Sequence, residues 1–151
     1  FSLSTDKYHT EITEEHFLST DFSEMDFGES MKNIYAISEN TEILEYSDNE
    51  IHFSASTYGK GRSVYLAGLP FNIKNTRLLF KSMMYAANKE ADYLKWHSEN
   101  PECEVNVYPD AGWYAIVNNS LEPQQTTVYD GEGKEKMYNL KGSELVWERI
   151  E

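Results

Sequence analysis

Cysteine, positive charge and long hydrophobic runs are all scarce in this sequence. Cys103 is the single cysteine, so no disulfide can close within the chain, and we predict a reducing, cytoplasmic location. No run of about 18 apolar residues is present for a membrane-spanning helix. The first residues also lack the basic and then apolar pattern of a secretory leader. The sequence therefore predicts a soluble protein without a membrane partner.

Acidic residues outnumber basic ones two to one: 26 Asp and Glu face 13 Lys and Arg, which gives a net charge of −13. Proteins that bind nucleic acid need a basic surface to displace counterions from the phosphates, so this charge excludes nucleic acid as a partner. Thirteen of the acidic residues, and only two basic ones, lie in the first 51 positions. An acidic adaptor for a basic protein partner is therefore one function to weigh.

The length of 151 residues and the hydrophobic content of 40% suffice for one ordinary domain or two small ones. The chain begins with Phe1 rather than Met, which indicates processing, disordered leading residues, or a piece cut from a longer polypeptide. We expect that the chain is such a piece.

The first part of the chain carries a mixture of strand and helix patterns. "TEEHFLS" predicts a short helix capped by Thr13, and "NIYAIS" at 33–38 predicts a buried strand. The stretch from Glu42 to Pro70 alternates as three strands do, with turns at 48–49 and 59–61. Its last run, "SVYLAGL", is almost continuously apolar, as a strand covered on both faces would be.

The strongest helix pattern follows Pro70 and is predicted to span about 75–95. Asn72 or Asn75 is the expected cap. The residues at spacings of three or four that define its apolar face are Ile73, Arg77, Phe80, Met84, Ala87 and Ala91.

After residue 96 the period changes to that of short strands. Five alternating runs, "CEVNVYP", "GWYAIVNN", "QTTVYD", "KMYNL" and "ELVWERI", are separated by turn-forming residues. We therefore predict an α+β protein, with an α/β part at 1–96 followed by a small antiparallel all-β domain of meander or sandwich type at 97–151.

The "GKGR" turn invites comparison with phosphate-binding loops. Those loops place their glycines after a strand and directly before a helix, whereas Gly59 and Gly61 precede a strand. We therefore interpret both glycines as positive-φ positions of a hairpin. Pro70, Phe71 and Asn72, which leave the carboxyl end of a buried strand and enter a helix, are the residues most expected to approach a ligand if any do, but a tight strand-to-helix turn is the favoured explanation.

Other potential sites are weaker. His9, Glu11, Glu15 and His16 match no metal-binding spacing, and Cys103 lacks the elbow sequence of a nucleophile, so we assign no metal, no cofactor and no catalytic residue. Asn118-Asn119-Ser120 fits the glycosylation pattern but is explained by a turn. Five aromatic residues form either a core or a platform on which sugars stack: Trp113, Tyr114, Tyr129, Tyr138 and Trp147.

Three blocks, "FGESMKNIYAISENTEIL", "YGKGRSVYLAGLPFNIKNTRLLFKSMMYAA" and "YAIVNNSLEPQQTTVYDGEGK", resemble the C-terminal portion of 1,3-β-galactosyl-N-acetylhexosamine phosphorylases, also called lacto-N-biose phosphorylases. The resemblance covers most of residues 15–150. It implies an upstream (β/α)₈-type catalytic barrel, then an amidotransferase-like α/β domain without its nucleophile, to which residues 1–96 belong, and then a terminal β domain.

Such enzymes are glycosyltransferase-type phosphorylases that split β-1,3-galactosyl-N-acetylhexosamines with inorganic phosphate into α-galactose 1-phosphate and the hexosamine. Their acid and their ligands for disaccharide and phosphate lie chiefly in the barrel, so the resemblance implies that this chain alone is inactive. Its role would be scaffolding, subunit contact within a homodimer or covering of the active site. The alternative is a free-standing carbohydrate-binding module.

Overall fold

The computed structural model describes residues 9–20, 22, 25–29 and 32–150. The chain divides into two units, the first of which ends at Glu90 and the second of which begins at Ala91. The sequence predicted the division a few residues later, between residues 96 and 97, and that domain boundary stays a prediction. Within the described residues, no helix is long and apolar enough to cross a membrane.

The first unit contains the predicted three-stranded meander. Its strands are β1 (Thr41–Ser47), β2 (Glu50–Tyr58) and β3 (Gly61–Leu66), paired antiparallel in that order. Asp48 and Asn49 join β1 to β2 with φ of 53° and 61°, the two positive values that a type I′ turn requires. Gly59 (φ 58°) likewise confirms the predicted glycine turn. Gly61, in contrast, begins β3 without a positive φ, because the two-residue loop needs one only at its first position.

Strand β3 was predicted to be buried on both faces, but the structure shows otherwise. Each of its six residues is at least partly exposed. Val64 and Leu66 pack partly against the core of the unit, while Ser63 on the opposite side is exposed. Its near-continuous apolar character therefore reflects half-burial on a small sheet.

Helix α1 (Ile73–Ala86) follows β3. Its cap is Asn72, as predicted, whose side chain accepts a hydrogen bond from the backbone N–H of Asn75 at 2.8 Å. The helix ends well before the predicted residue 95. Asn88 takes a left-handed φ of 55°, and the N–H of Lys89 donates to the carbonyl of Met84 at 2.8 Å, which closes the last turn.

The side of α1 that packs on the sheet is not the side that spacing predicted. The buried residues are Asn75, Leu78, Ser82 and Tyr85. Leu78 and Tyr85 share a core with Leu18, Leu44, Phe53 and Ala55. Of the predicted face, Ile73 and Phe80 are 48% and 45% exposed, and Ala87 and Ala91 are exposed too. Tertiary packing on the sheet has selected the more polar side of the helix.

Two further predictions for the first unit were wrong. "TEEHFLS" is a turn rather than a helix: the N–H of Ser19 donates to the carbonyl of His16 at 2.9 Å, and Thr13 donates its N–H to Ile43 of β1 instead of capping. "NIYAIS" makes a single bridge, between Ala36 and His9, rather than a strand. In both segments a backbone group is bonded to a distant part of the chain, which local sequence does not reveal.

The backbone segments that contain Gly28 and Gly68 pass each other at very short range in the first unit. The N–H of Gly28 donates to the carbonyl of Gly68 at 2.7 Å, and Gly68 itself has a φ of 39°. A Cβ on Gly28 would lie 2.2 Å from the Gly68 carbonyl oxygen, which real contacts do not allow. The segments "FGE" and "AGL" therefore need glycine where they meet.

The second unit is a small all-β domain. All five predicted strands are confirmed: β5 (Cys103–Tyr108), β6 (Trp113–Asn118), β7 (Gln124–Tyr129), β8 (Glu135–Leu140) and β9 (Leu145–Arg149). A two-residue strand, β4 (His97–Ser98), was not predicted. The strands form two antiparallel sheets, β4-β7-β8 and β5-β6-β9, with a shared core of Cys103, Tyr114, Ile116, Val128, Tyr138 and Leu140.

We expect Gly28→Ala to destabilise the protein by about 1 to 3 kcal/mol, because the new methyl group overpacks a backbone carbonyl that is itself hydrogen-bonded. Chemical denaturation measures the difference. Gly61→Ala is the matched control, since its added Cβ would lie 3.4 Å from the nearest atom at an ordinary φ. Equal stability of the two variants would contradict the close crossing.

Candidate functional site

The predicted ligand-facing loop connects β3 to α1 and is held together by Asn75. The side-chain N–H₂ of this residue, which is only 1% exposed, donates to the carbonyls of Pro70 at 2.7 Å and Asp26 at 3.0 Å. Its side-chain oxygen accepts from the N–H of Asp26 at 3.3 Å. Asn72 is the helix cap, whereas Phe71 is 96% exposed. The loop is thus a tight turn that presents one aromatic ring to solvent, and its approach to a ligand stays a prediction.

A cluster of ionisable side chains surrounds Tyr85 on the buried side of α1. His16 contacts the Tyr85 ring edge-on with centroids 4.9 Å apart, and the Arg62 guanidinium lies 4.6 Å from the centroid of that ring. Arg62 also donates to the Tyr85 carbonyl at 3.3 Å and forms an ion pair with Glu90. The four residues are brought together from four separate segments of the first unit.

The imidazole of His16 is fixed in one orientation by its neighbours. The N–H of Leu18 donates to Nδ1 at 3.0 Å, so the proton of the neutral ring belongs on Nε2, which lies 3.5 Å from the Glu42 carboxylate. Burial lowers the pKa of His16 and outweighs Glu42, which raises it; Lys81 and Arg62 lower it further. A neutral imidazole that is hydrogen-bonded in place is suited to maintaining structure.

Ser47, His52 and Glu45 also lie together, but not as a catalytic triad. The Ser47 hydroxyl lies 3.1 Å from His52 Nδ1, and the Glu45 carboxylate lies 2.8 Å from the same nitrogen. A triad needs the nucleophile and the carboxylate on opposite nitrogens of the ring, so that one orients while the other exchanges a proton. This arrangement cannot activate the serine.

Among the described residues, no group of three His, Cys, Asp or Glu is placed to hold a metal ion. His9, one of the four residues weighed as ligands, points its Nε2 to the carbonyl of Thr41 at 2.9 Å. His16, another of them, accepts from Leu18. Their ring nitrogens are bonded to two separate parts of the first unit.

A cavity in the second unit is lined by residues of both of its sheets and of the turn after β7; we call it the end cleft. Its volume is about 550 Å³. Tyr114 and Val128 come from the core, and the turn that follows β7 contributes Asp130 and Gly131. The remaining lining residues are Trp96, Glu132, Lys134, Glu135, Lys136, Glu148, Arg149 and Ile150.

Trp96 holds an unusual position in the end cleft. Its backbone has a φ of 53°, a left-handed value that is a genuine outlier for so large a side chain. Its indole packs on Gly131, where an added Cβ would lie 2.8 Å from the ring, and the backbone N–H of Trp96 donates to the Asp130 carbonyl at 3.2 Å. Local sequence does not predict this conformation, because it depends on contact with a turn more than 30 residues away.

The five predicted aromatic residues separate into core and surface. Tyr114 and Tyr138 are buried, with hydroxyls 3.0 Å apart, and burial raises the pKa of Tyr114. Tyr129 donates its hydroxyl to Glu99 at 2.7 Å, which raises its pKa to about 12. Trp113 and Trp147 lie instead on the outer face of the β5-β6-β9 sheet.

That outer face has an aromatic pair that sequence reasoning missed. The rings of Tyr108 and Trp147 lie 5.5 Å apart, and both residues are about half exposed. The Arg149 guanidinium covers Trp113 at 4.9 Å from the ring centroid. The register of β5 and β6 indicates this placement: Tyr108 pairs with Trp113 and therefore lies on the same face of the sheet.

Two remaining candidate positions belong to the interior of the second unit. Cys103 is a buried core residue. Asn118, the acceptor of the glycosylation pattern, is 1% exposed and donates its side-chain N–H₂ to the carbonyls of Glu122 and Lys141. Its oxygen accepts from the N–H of Ser120 at 2.9 Å, which confirms the predicted turn.

Comparison with protein families assigns both units. Residues 1–91 match the lacto-N-biose phosphorylase central domain, and residues 96–148 match the C-terminal domain of the same enzymes. The chain belongs to the lacto-N-biose phosphorylase family. Its first unit thus corresponds to the central domain of that family and its second unit to the C-terminal domain.

Individual relatives agree with this assignment. The chain is 42% identical over 148 residues, and 41% over 151, to two 1,3-β-galactosyl-N-acetylhexosamine phosphorylases of Lachnoclostridium phytofermentans. It is 32% identical over 177 residues to such an enzyme of Bifidobacterium longum. These matches cover 97–99% of the chain but 20–24% of the relatives. The chain therefore spans about a fifth of their length, in their C-terminal region.

We expect the free energy of unfolding to fall as the pH decreases below about 6.5, because the unfolded state then binds a proton that His16 resists in the folded state. His16→Asn keeps an acceptor for the Leu18 N–H and should flatten this dependence. Denaturation of both proteins between pH 5 and 8 measures the difference. Parallel curves would show that His16 is not responsible.

Proposed function

We propose that this chain is the non-catalytic C-terminal region of a phosphorylase that cleaves β-1,3-galactosyl-N-acetylhexosamines with inorganic phosphate, giving α-galactose 1-phosphate and the N-acetylhexosamine. The match of nearly the whole chain to a fifth of its relatives supports this proposal. The strand, loop and helix from β3 to α1 support the finer proposal that the first unit ends an amidotransferase-like α/β domain. The cytoplasm remains the proposed location.

The observation that carries the proposal is an apolar stripe on the exposed side of α1. Ile73, Leu79 and Met83 are 48%, 44% and 54% exposed, with Phe80 among them. Leu79 and Phe80 lie four and three residues before Met83, and Ile73 lies seven residues before Phe80, so all four share one side of the helix, roughly opposite Asn75, Leu78, Ser82 and Tyr85. We call this group the outer stripe.

An outer stripe of this kind is typical of a surface that another part of a protein covers. Burial of a fully exposed Leu, Ile or Met side chain contributes about 1.5 to 3 kcal/mol, so covering three that are about half exposed contributes roughly half of that for each. Contiguous exposed apolar surface on a folded domain marks such contacts. Phe71 extends the apolar surface just before the helix.

We propose that the upstream catalytic barrel of the same polypeptide covers the outer stripe. Relatives of this chain are about five times as long, so most of a family member lies outside the sequence described here. Scaffolding of the barrel then requires a permanent apolar contact, which the outer stripe provides. Subunit contact in a homodimer and covering of the active site are the other roles by which this region would serve catalysis.

Activity measurements test the proposal in a chimera that carries this chain in place of the matching segment of the 42%-identical Lachnoclostridium enzyme. We expect the chimera to release galactose 1-phosphate from lacto-N-biose and phosphate, and the chain alone to release none. Phosphorolysis by the 151-residue chain alone would contradict a non-catalytic role. A chimera that stays unassembled, while the chain alone folds, would favour the free-standing carbohydrate-binding module.

Met83→Asp should leave the isolated chain nearly as stable as before, because this side chain is more than half exposed. In the chimera it should lower the melting temperature and the yield of assembled enzyme, since a carboxylate would be buried against the barrel. Met83→Leu, which keeps the stripe apolar, is the matched control. Equal effects of Met83→Asp on the chain and on the chimera would overturn the docking role.

A further inference from the structure

We propose that the end cleft of the second unit is a binding site for a neutral galactosyl saccharide. A volume of about 550 Å³ lies within the range of small-molecule pockets and has room for a disaccharide. The inference rests on the proposed function only for the choice of sugar. The chemistry of the lining residues supports the site itself.

The charges of the cleft favour a neutral ligand. The acidic residues of the lining are Asp130, Glu132, Glu135 and Glu148, and the basic ones are Lys134 and Lys136, because the Arg149 guanidinium covers Trp113 on the outer face. The excess of acidic residues disfavours an anion, and the Glu148 and Asp130 carboxylates are already bonded, to Lys136 and to backbone N–H groups, rather than open to a cation. The lining does supply many acceptors and donors within one cavity. Sugar hydroxyls both donate and accept hydrogen bonds, so they can use both kinds of group at once.

Several of these polar groups are fixed in position. Lys136 donates to the Glu148 carboxylate at 2.9 Å across the cleft, and its ammonium lies 5.0 Å from the centroid of the Tyr138 ring. The Asp130 carboxylate accepts the N–H groups of Glu132 and Lys134, each at 2.8 Å, which orders the turn at the rim. A preordered polar lining reduces the entropy that binding would otherwise lose.

The apolar component of the site comes from two aromatic rings. Trp96 and Tyr114 lie with centroids 5.2 Å apart, and both line the cleft. The Trp96 ring is held there by Gly131 at the expense of a left-handed backbone, and strain of this kind tends to be retained where a side chain has a function. Galactose carries several C–H groups on one face, which can pack against such a ring.

The aromatic pair of the outer sheet face, Tyr108 and Trp147, is the rival location for a sugar. It is exposed on a flat sheet rather than in a cavity, and the cleft offers many more charged and polar groups. Enclosure increases the surface that a ligand buries and removes water from its hydrogen bonds. The outer pair therefore provides a control for the experiment.

Titration of the 151-residue chain with lacto-N-biose, followed by calorimetry and tryptophan fluorescence, tests the inference. We expect saturable binding that weakens at least tenfold in Trp96→Leu and in Lys136→Met. The second variant keeps the aliphatic stem of a side chain that is about half exposed, so it preserves the fold if the first does not. Trp147→Leu should bind as the unchanged chain does.

The control sugar is the disaccharide with glucose in place of galactose, which differs only in the configuration of one hydroxyl. Weaker binding of this sugar supports the galactosyl assignment, and equal binding overturns it. Absence of binding by the unchanged chain, or loss only in Trp147→Leu, would overturn the cleft as the site. Because this experiment uses the isolated chain, its failure is distinguishable from failure of the chimera to assemble.

Discussion

A single helix on a single sheet can bury only one of its sides, and this constraint determines what the first unit leaves exposed. Helix α1 packs Leu78 and Tyr85 onto the core and fixes the preceding loop through the buried amide of Asn75. The opposite side then carries Ile73, Leu79 and Met83 into solvent. The proposal that this region docks onto a larger enzyme follows from that division of the helix.

The second unit buries its apolar side chains in a different way. Two three-stranded sheets enclose a shared core, and its largest apolar residues are covered by its own strands. At one end the core gives way to charged side chains, and the cavity there is lined by Trp96 and by the ion pair of Lys136 with Glu148. A domain that encloses its own core can present such a cavity to a ligand, whereas the first unit leaves an apolar surface exposed on α1.

Local sequence predicted the elements whose conformation is decided locally. Asp48-Asn49 and Gly59 predicted the hairpin turns, Asn72 the helix cap, and alternation the five strands of the second unit. The side of α1 that is buried was not predictable, because apolar spacing favoured a different face, of which Ile73 and Phe80 stay exposed. The end cleft was missed for a related reason: it depends on the contact between Trp96 and Gly131, which only the folded chain creates. Family resemblance predicted the identity of the region, while its role still depends on what covers the outer stripe.

The measurement that tests this account most directly is the rate at which hydrogen peroxide oxidises Met83, followed by peptide mass spectrometry. Oxidation of methionine to its sulfoxide requires access to the sulfur. The account predicts rapid oxidation of Met83 in the isolated chain and at least tenfold slower oxidation when the chain forms part of a full-length phosphorylase. An unchanged rate in the full-length enzyme would contradict it, because the outer stripe would then remain in solvent.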